Sequence, residues 1–326
     1  MHPALSVIFL TTLIGAGQGF FLALITGQFY SLVKLIPAQE SEGFYAAGSF
    51  VVLLLLGLGL FASVFHLGRP ERAWRAATKW RTSWLSREVI ALPLFMLLVF
   101  LYGLAHFMGW NQPLFTLGEG IEIDPTVLIG IVASFVAFVL YVSTAMIYAS
   151  VKFLEEWHHW LTVANYTLFG LASGFTLAAA FSAYQGVGLV SFFGIWSVVF
   201  LFVAFITRSA SLLRNARLKP RSTLQTAIGV RHNRLVQETQ GFMGGSFNTR
   251  EFFHGRSGKT LQRVRLLFML LIFAVTPLLL AVSWGISSSL LPISALAVLY
   301  LGLLLERWYF FAEARHPQNL YYQAMA

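Results

Sequence analysis

His66, a row of arginines and Glu88 crowd one boundary between apolar and basic sequence. The apolar run Gly48 to Phe65 ends at His66-Leu67-Gly68-Arg69-Pro70-Glu71-Arg72-Ala73-Trp74-Arg75. The basic stretch continues through Lys79, Arg81 and Ser86-Arg87-Glu88, and a second apolar run opens at Val89. A histidine titrates near neutral pH and can take or give a proton. A carboxylate inside an apolar span costs about 2.5–3.5 kcal/mol at the centre and less near the interface, so Glu88 should pair with an arginine or face water or a ligand. One histidine, one acid and nearby donors against apolar walls suit a quinone. Its ring and tail need apolar contact, and its two oxygens need hydrogen bonds and protons. The plainer reading is that these groups anchor two helix ends and place positive charge on one side. Spacing alone leaves both open.

The elements that position these residues are membrane spans. The 326 residues are 57% hydrophobic and 11% charged, with a mean hydropathy of +0.72, whereas a soluble domain is about 25% charged. Apolar runs near or above twenty residues place the chain in the membrane class. Eight spans are expected, at roughly 5–33, 44–66, 88–109, 126–150, 161–184, 188–208, 264–286 and 290–312. The runs are continuously apolar rather than alternating, so they should be α-helices and not barrel strands. The expected architecture is one all-α polytopic membrane domain over 1–326. Met1-His2-Pro3-Ala4 carries no Lys or Arg, so the first run reads as a retained span rather than a signal peptide.

The loops orient the spans. With eight of them, every Lys and Arg except Lys34 falls on one side, which the positive-inside rule makes cytoplasmic, together with both termini. The opposite loops are short and neutral or acidic, with Glu119, Glu122 and Asp124. That distribution accounts for the net charge of +9 without nucleic acid as a partner. There are no cysteines, so the chain holds no disulfide, no thiolate metal site and no iron–sulfur cluster of its own. Any electrons it handles must arrive from a partner, a haem or a diffusible carrier.

Other polar groups admit two readings each. Gln18, within Gly15-Ala16-Gly17-Gln18-Gly19, either sits in a seam of close helix packing or faces an internal cavity. Tyr141 and Tyr148 share one helix face in the inner half of the fourth span, as belt aromatics or pocket walls. His106 reads as an interfacial histidine at the outer end of the third span. His158 and His159 are adjacent, point about 100° apart on a helix, and make poor co-ligands of one metal. Residues 209–262 form a long basic segment with Gly241, Gly244, Gly245, Gly255 and Gly258. It is either a solvated loop near anionic lipid or a docking surface for a cytoplasmic subunit.

The segment from His66 to Arg75, followed by Thr82-Ser83-Trp84-Leu85-Ser86-Arg87-Glu88, resembles the membrane anchor subunits of DMSO-reductase-type molybdenum enzymes, the DmsC/NrfD-like family. So do Tyr148-Ala149-Ser150-Val151-Lys152 with Trp157-His158 and Asn165-Tyr166, and Glu306-Arg307-Trp308 with Asn319-Leu320-Tyr321-Tyr322. The resemblance implies an eight-span subunit that exchanges electrons between the quinone pool, ubiquinone or menaquinone, and an iron–sulfur subunit. That subunit in turn serves a molybdopterin catalytic subunit. Carried over by position, it makes His66, Arg72 and Glu88 the quinone-binding and proton-transfer residues. Arg69, Gln18, Tyr141 and Tyr148 become looser members of the pocket, with Tyr141 preferred to Tyr148. The first residues, Met1 to Phe9, and the long basic segment are most similar to the sulfite-oxidising branch of the family, whose partner subunits lie on the cytoplasmic face of the bacterial inner membrane. The basic segment is not shared by all anchors.

The same resemblance covers an anchor running oppositely, oxidising quinol for reduction of DMSO, polysulfide or tetrathionate. A reading from another class is a transporter, but no internal repeat is evident and the charges lie at the boundary rather than mid-membrane. A haem b would need axial histidines within the membrane. His66 and His106 lie at opposite ends, and only His66 with His158 or His159 shares a depth, so no haem is expected. Protons taken from the cytoplasmic side would make the reaction electroneutral.

Overall fold

The computed structural model describes residues 1–118, 121–220, 222–239, 247–286 and 288–323. Glu119, Gly241, Gly244 and Gly245, named above, lie outside the described residues, as does Arg221. Eight helices are long and apolar enough to cross a membrane: α1 Leu5–Leu32, α2 Ser41–Val64, α3 Trp84–Phe107, α4 Pro125–Ala149, α5 Trp160–Gln185, α6 Val190–Ala216, α7 Gly258–Gly285 and α8 Leu290–Glu313. Eight alternating crossings bring the chain start, the 65–83 connection, the 150–159 connection, the 217–257 segment and the tail to one end of the bundle, here called the basic end. The opposite end carries a small antiparallel hairpin, β1 Phe115–Leu117 and β2 Ile121–Ile123, with Phe115 opposite Ile123.

Helix starts follow their capping residues. Asp124 Oδ1 accepts from Val127 N at 3.0 Å and precedes Pro125, which suits the first helical position. Ser83 Oγ accepts from Ser86 N at 3.4 Å at the head of α3, and Ser257 Oγ from Thr260 N at 3.3 Å at the head of α7. α5 stops at Gly186, whose φ of +69° places it in the left-handed region that glycine tolerates.

α1 and α5 form the centre. In their most apolar windows 83% and 78% of residues are buried, against 28% for α2, α6 and α7. Their axes approach through glycine. A side chain on Gly19 would overlap Gly170 and Gly174, and one on Gly174 would overlap the Gly19–Phe20 backbone. Gly15 faces Gly170 across the same crossing. These two small-xxx-small pairs let the backbones touch, which in lipid is the main source of helix association. α6 and α8 flank α5, α2 flanks α1, and α3 pairs with α4.

Two helix ends differ from the sequence expectation. α6 runs to Ala216 rather than stopping near 208, and α7 begins at Gly258. The basic segment is therefore shorter than 209–262. Arg208 is helical and buried because an acid on α8 meets it, a tertiary contact that composition does not report. Within the segment only the short turns Leu224–Ile228 and Phe247–Glu251 are helical among the described residues.

Candidate functional site

A layer of polar side chains crosses the bundle one to two turns inside its basic end. Glu88 lies in the second turn of α3, half-buried, and its Oε1 accepts a hydrogen bond of 2.6 Å from Thr144 Oγ1 of α4. Tyr148, one turn further along α4, is within electrostatic reach of Glu88 and of Arg307. Its ring meets Trp157 at 5.4 Å, Phe310 at 5.6 Å and Phe311 at 5.5 Å, and stacks on Tyr166 of α5 at 6.3 Å. Trp157 Nε1 donates to Phe310 O at 2.9 Å, which ties the 150–159 connection to α8.

Behind this aromatic wall lies a buried charge network. Glu306 of α8 is fully buried. Arg208 Nε of α6 approaches its Oε1 at 2.9 Å, and Arg307 Nε approaches its Oε2 at 2.7 Å. Arg208 Nη2 is also 3.9 Å from Glu313 Oε2. The Arg307 guanidinium lies over Tyr166 at 4.8 Å and Phe310 at 4.9 Å, geometries that favour a cation over an aromatic face. Beside it, α1, α5 and α8 leave a narrow cleft of about 20 Å³, room for about one water molecule, bordered by Thr11, Thr12, Tyr166, Phe169, Leu303 and Arg307.

The structure brings some expected residues into this layer and leaves others outside. Glu88 and Tyr148 belong to it. His66 follows the end of α2 and is exposed by area, with no side-chain hydrogen bond or ion pair among the described residues. The neighbouring chain still shields it enough that desolvation lowers its pKa from the ordinary 6.5. Arg69 and Arg72 lie on or beside the exposed 3-10 segment Pro70–Lys79, and Arg72 makes only a 3.7 Å surface pair with Glu71. Ser86 Oγ, whose hydroxyl donates to Ala76 O, pins this segment to α3.

Gln18 and Tyr141 form a reciprocal clasp near mid-bundle. Gln18 Nε2 donates to Ala137 O at 2.9 Å and Tyr141 OH donates to Gly15 O at 2.8 Å. Both side chains are at most 1% exposed. Gln18 thus packs α1 on α4 and does not border the cleft, in line with the packing-seam reading rather than the cavity reading.

His106 also departs from expectation. It is not a solvent-facing interfacial residue but is 3% exposed, stacked on Tyr45 at 4.7 Å, with Nδ1 2.7 Å from Ser41 Oγ. It closes the far end of α3 against α2. At the basic end, His158 Nδ1 is 2.6 Å from Ala149 O, and His159 Nδ1 accepts from Leu161 N at 3.2 Å, so both hold the turn between α4 and α5. Among the described residues no three His, Asp or Glu side chains are grouped to hold a metal.

Sequence reasoning missed Thr144, Tyr166, Arg208, Glu306, Arg307 and Glu313. A signal was present. Glu306-Arg307 stands between Leu303-Leu304-Leu305 and Trp308-Tyr309-Phe310-Phe311, apolar on both sides. An ionisable pair so flanked belongs inside the span rather than after it.

Three comparisons bear on this arrangement. The family model described as DMSO reductase anchor subunit (DmsC) matches residues 1–322. A sulfite dehydrogenase subunit of Allochromatium vinosum is 60% identical over 326 residues, covering 100% of both chains. A subunit of the anaerobic dimethyl sulfoxide reductase of Haemophilus influenzae is 30% identical over 177 residues, 54% of this chain and 57% of that one.

Proposed function

The chain belongs to the DMSO reductase anchor subunit family, and from that premise we propose that it is the quinone-reactive membrane subunit of a three-subunit sulfite-oxidising complex. Its partners are an iron–sulfur subunit and a molybdopterin catalytic subunit, docked on the basic end, which faces the cytoplasm of a bacterial inner membrane. The full-length identity to a sulfite dehydrogenase subunit favours sulfite over DMSO as the substrate of the catalytic partner. The absence of cysteine in the chain fits a division of labour in which the partners carry the clusters.

The observation that carries the quinone reading is Glu88, a carboxylate inside an apolar span, held by Thr144 next to Tyr148 and Tyr166. Intramembrane ionisable groups are functional candidates by default. Oxidation of sulfite to sulfate takes its added oxygen from water and releases two electrons and two protons, and a quinone takes up two of each. Glu88 supplies a proton-holding group at the depth of the polar layer. His66, mostly neutral at pH 7 with its pKa lowered, passes protons from the basic end, and Arg72 holds the approach to it. Uptake from the side on which sulfite is oxidised makes the reaction electroneutral.

The test is purification through a tag on this protein, followed by sulfite-dependent reduction of decylubiquinone. The two soluble subunits should co-purify, bearing iron–sulfur and molybdopterin. A complex that oxidises sulfite with an artificial acceptor yet never passes electrons to quinone would sink the reading.

A further inference from the structure

A groove of about 360 Å³ runs between α3 and α4, bordered by Trp84, Arg87, Phe135, Phe138, Val139 and Val142. The four α4 side chains are exposed, so in a bilayer they face lipid. Val142 and Phe135 stand seven and fourteen residues before the end of α4 at Ala149, about 10 and 20 Å deeper at 1.5 Å per residue. The groove therefore descends from the basic end towards the hydrocarbon core.

Arg87 is fixed at the border of this groove without being neutralised. Its Nε donates to Trp80 O at 3.0 Å and its Nη2 to Arg81 O at 2.9 Å, and its guanidinium lies over the Trp84 ring at 4.1 Å. Among the described residues no acid pairs with it, and its Nη1 makes no hydrogen bond. The acids of this stretch turn elsewhere. Glu71 pairs with Arg72, and Glu88 accepts from Thr144. The first turn of α3 holds no acid. A cation there stands against the helix dipole, whose positive end itself favours an anion. Lys79 and Arg81, both exposed, add two more cations just before it.

A fixed cation with a free donor, above an apolar groove that reaches hydrocarbon depth, fits a molecule with an anionic head and a hydrocarbon chain. An acidic side chain of a soluble partner does not follow the groove into the core. A neutral lipid fills the groove but leaves the Arg87 charge unanswered. We propose that this groove is a binding site for an anionic phospholipid, with its phosphate on Arg87 Nη1 and one acyl chain between α3 and α4. The site goes beyond the quinone reading and does not depend on it. The lipid braces from outside the same helix pair that the Thr144–Glu88 bond joins from within.

Native mass spectrometry of the full-length protein tests it, with dioleoyl phosphatidylglycerol and dioleoyl phosphatidylcholine added in equal parts. The wild type should retain phosphatidylglycerol about fivefold more tightly, the attraction of one basic residue for an anionic headgroup. Arg87→Gln should abolish that preference. Val139→Trp, which fills the groove and leaves the Arg87 bonds alone, should lower retention of both lipids, and it carries the test if Arg87→Gln fails to fold. A wild type that retains the two lipids equally overturns the proposal, as does retention in Val139→Trp that matches wild type. Displacement of the phosphatidylglycerol by decylubiquinone gives the groove to a quinone and also overturns it.

Discussion

The Thr144 hydroxyl donates to Glu88 Oε1 at 2.6 Å, joining α4 to α3 inside the span. This bond makes Glu88 a fixed group rather than a mobile surface acid. Glu88→Gln keeps the shape and removes the titrating proton. Quinone reduction, measured relative to artificial-acceptor reduction, is expected to fall about a hundredfold, the lower end of general acid–base contributions. Thr144→Val should lower it less, by about tenfold, because the carboxylate remains but loses its orienting donor.

The pH dependence at His66 has a definite sign. Desolvation lowers its pKa from 6.5, so at pH 7 it is mostly neutral and gains its proton only as pH falls. A group that must deliver protons to quinone works better as its protonated fraction grows. Quinone reduction should therefore rise as pH is lowered through 6.5 and below, and His66→Ala should flatten that limb. A profile indifferent to His66→Ala would remove it from the proton route. The same shift makes the protonated form less favoured in the folded protein, so its contribution to stability is complete above pH 6.5 and declines below it.

The charge network on α6 and α8 is a stability element. Glu306→Gln leaves Arg208 and Arg307 buried without their shared acid, and breaking such a pair costs about 3–5 kcal/mol. The thermal midpoint of the purified complex should drop by several degrees. Glu71→Ala, which breaks the exposed pair with Arg72, should move it little, since exposed pairs contribute about 0–1 kcal/mol.

The α1–α5 crossing tolerates no side chain. Gly19→Ala or Gly174→Ala would force the backbones apart, because the added carbon meets main chain rather than a flexible side chain. Overpacking costs about 1–3 kcal/mol or more, and yield and thermal midpoint should fall in both variants. Gly188→Ala, with open space around it, is the matched control and should behave as wild type.

Sidedness is open to direct measurement. Reporter fusions after α2 and at the tail should read as cytoplasmic, and one in the connection holding Lys34 should read as external. The opposite result would reverse the side on which the partner subunits dock.

The sequence made the spans legible because a helix crossing lipid must be apolar for about twenty residues, and that requirement is local. Glu88 was legible for the same reason, as an acid at the mouth of a span. Arg208, Glu306 and Tyr166 were not. Their roles come from which helices become neighbours, and a charge near the end of a span looks the same whether it snorkels outward or meets a partner inside. Gln18 shows the converse. A polar residue mid-span suggested a cavity, yet its amide is consumed by a backbone carbonyl 119 residues away.

The glycine crossing also sets a timetable for biogenesis. α1 enters the membrane first, but the surface that receives Gly15 and Gly19 is carried by Gly170 and Gly174. At about 5–20 residues per second of synthesis, α1 waits on the order of ten to thirty seconds for it. During that interval its glycine face is open to lipid or to whatever insertion factor shields it. A polypeptide broken between α4 and α5 would leave that face unpartnered, so the first four helices made alone should be prone to degradation and be rescued by co-expression of the last four.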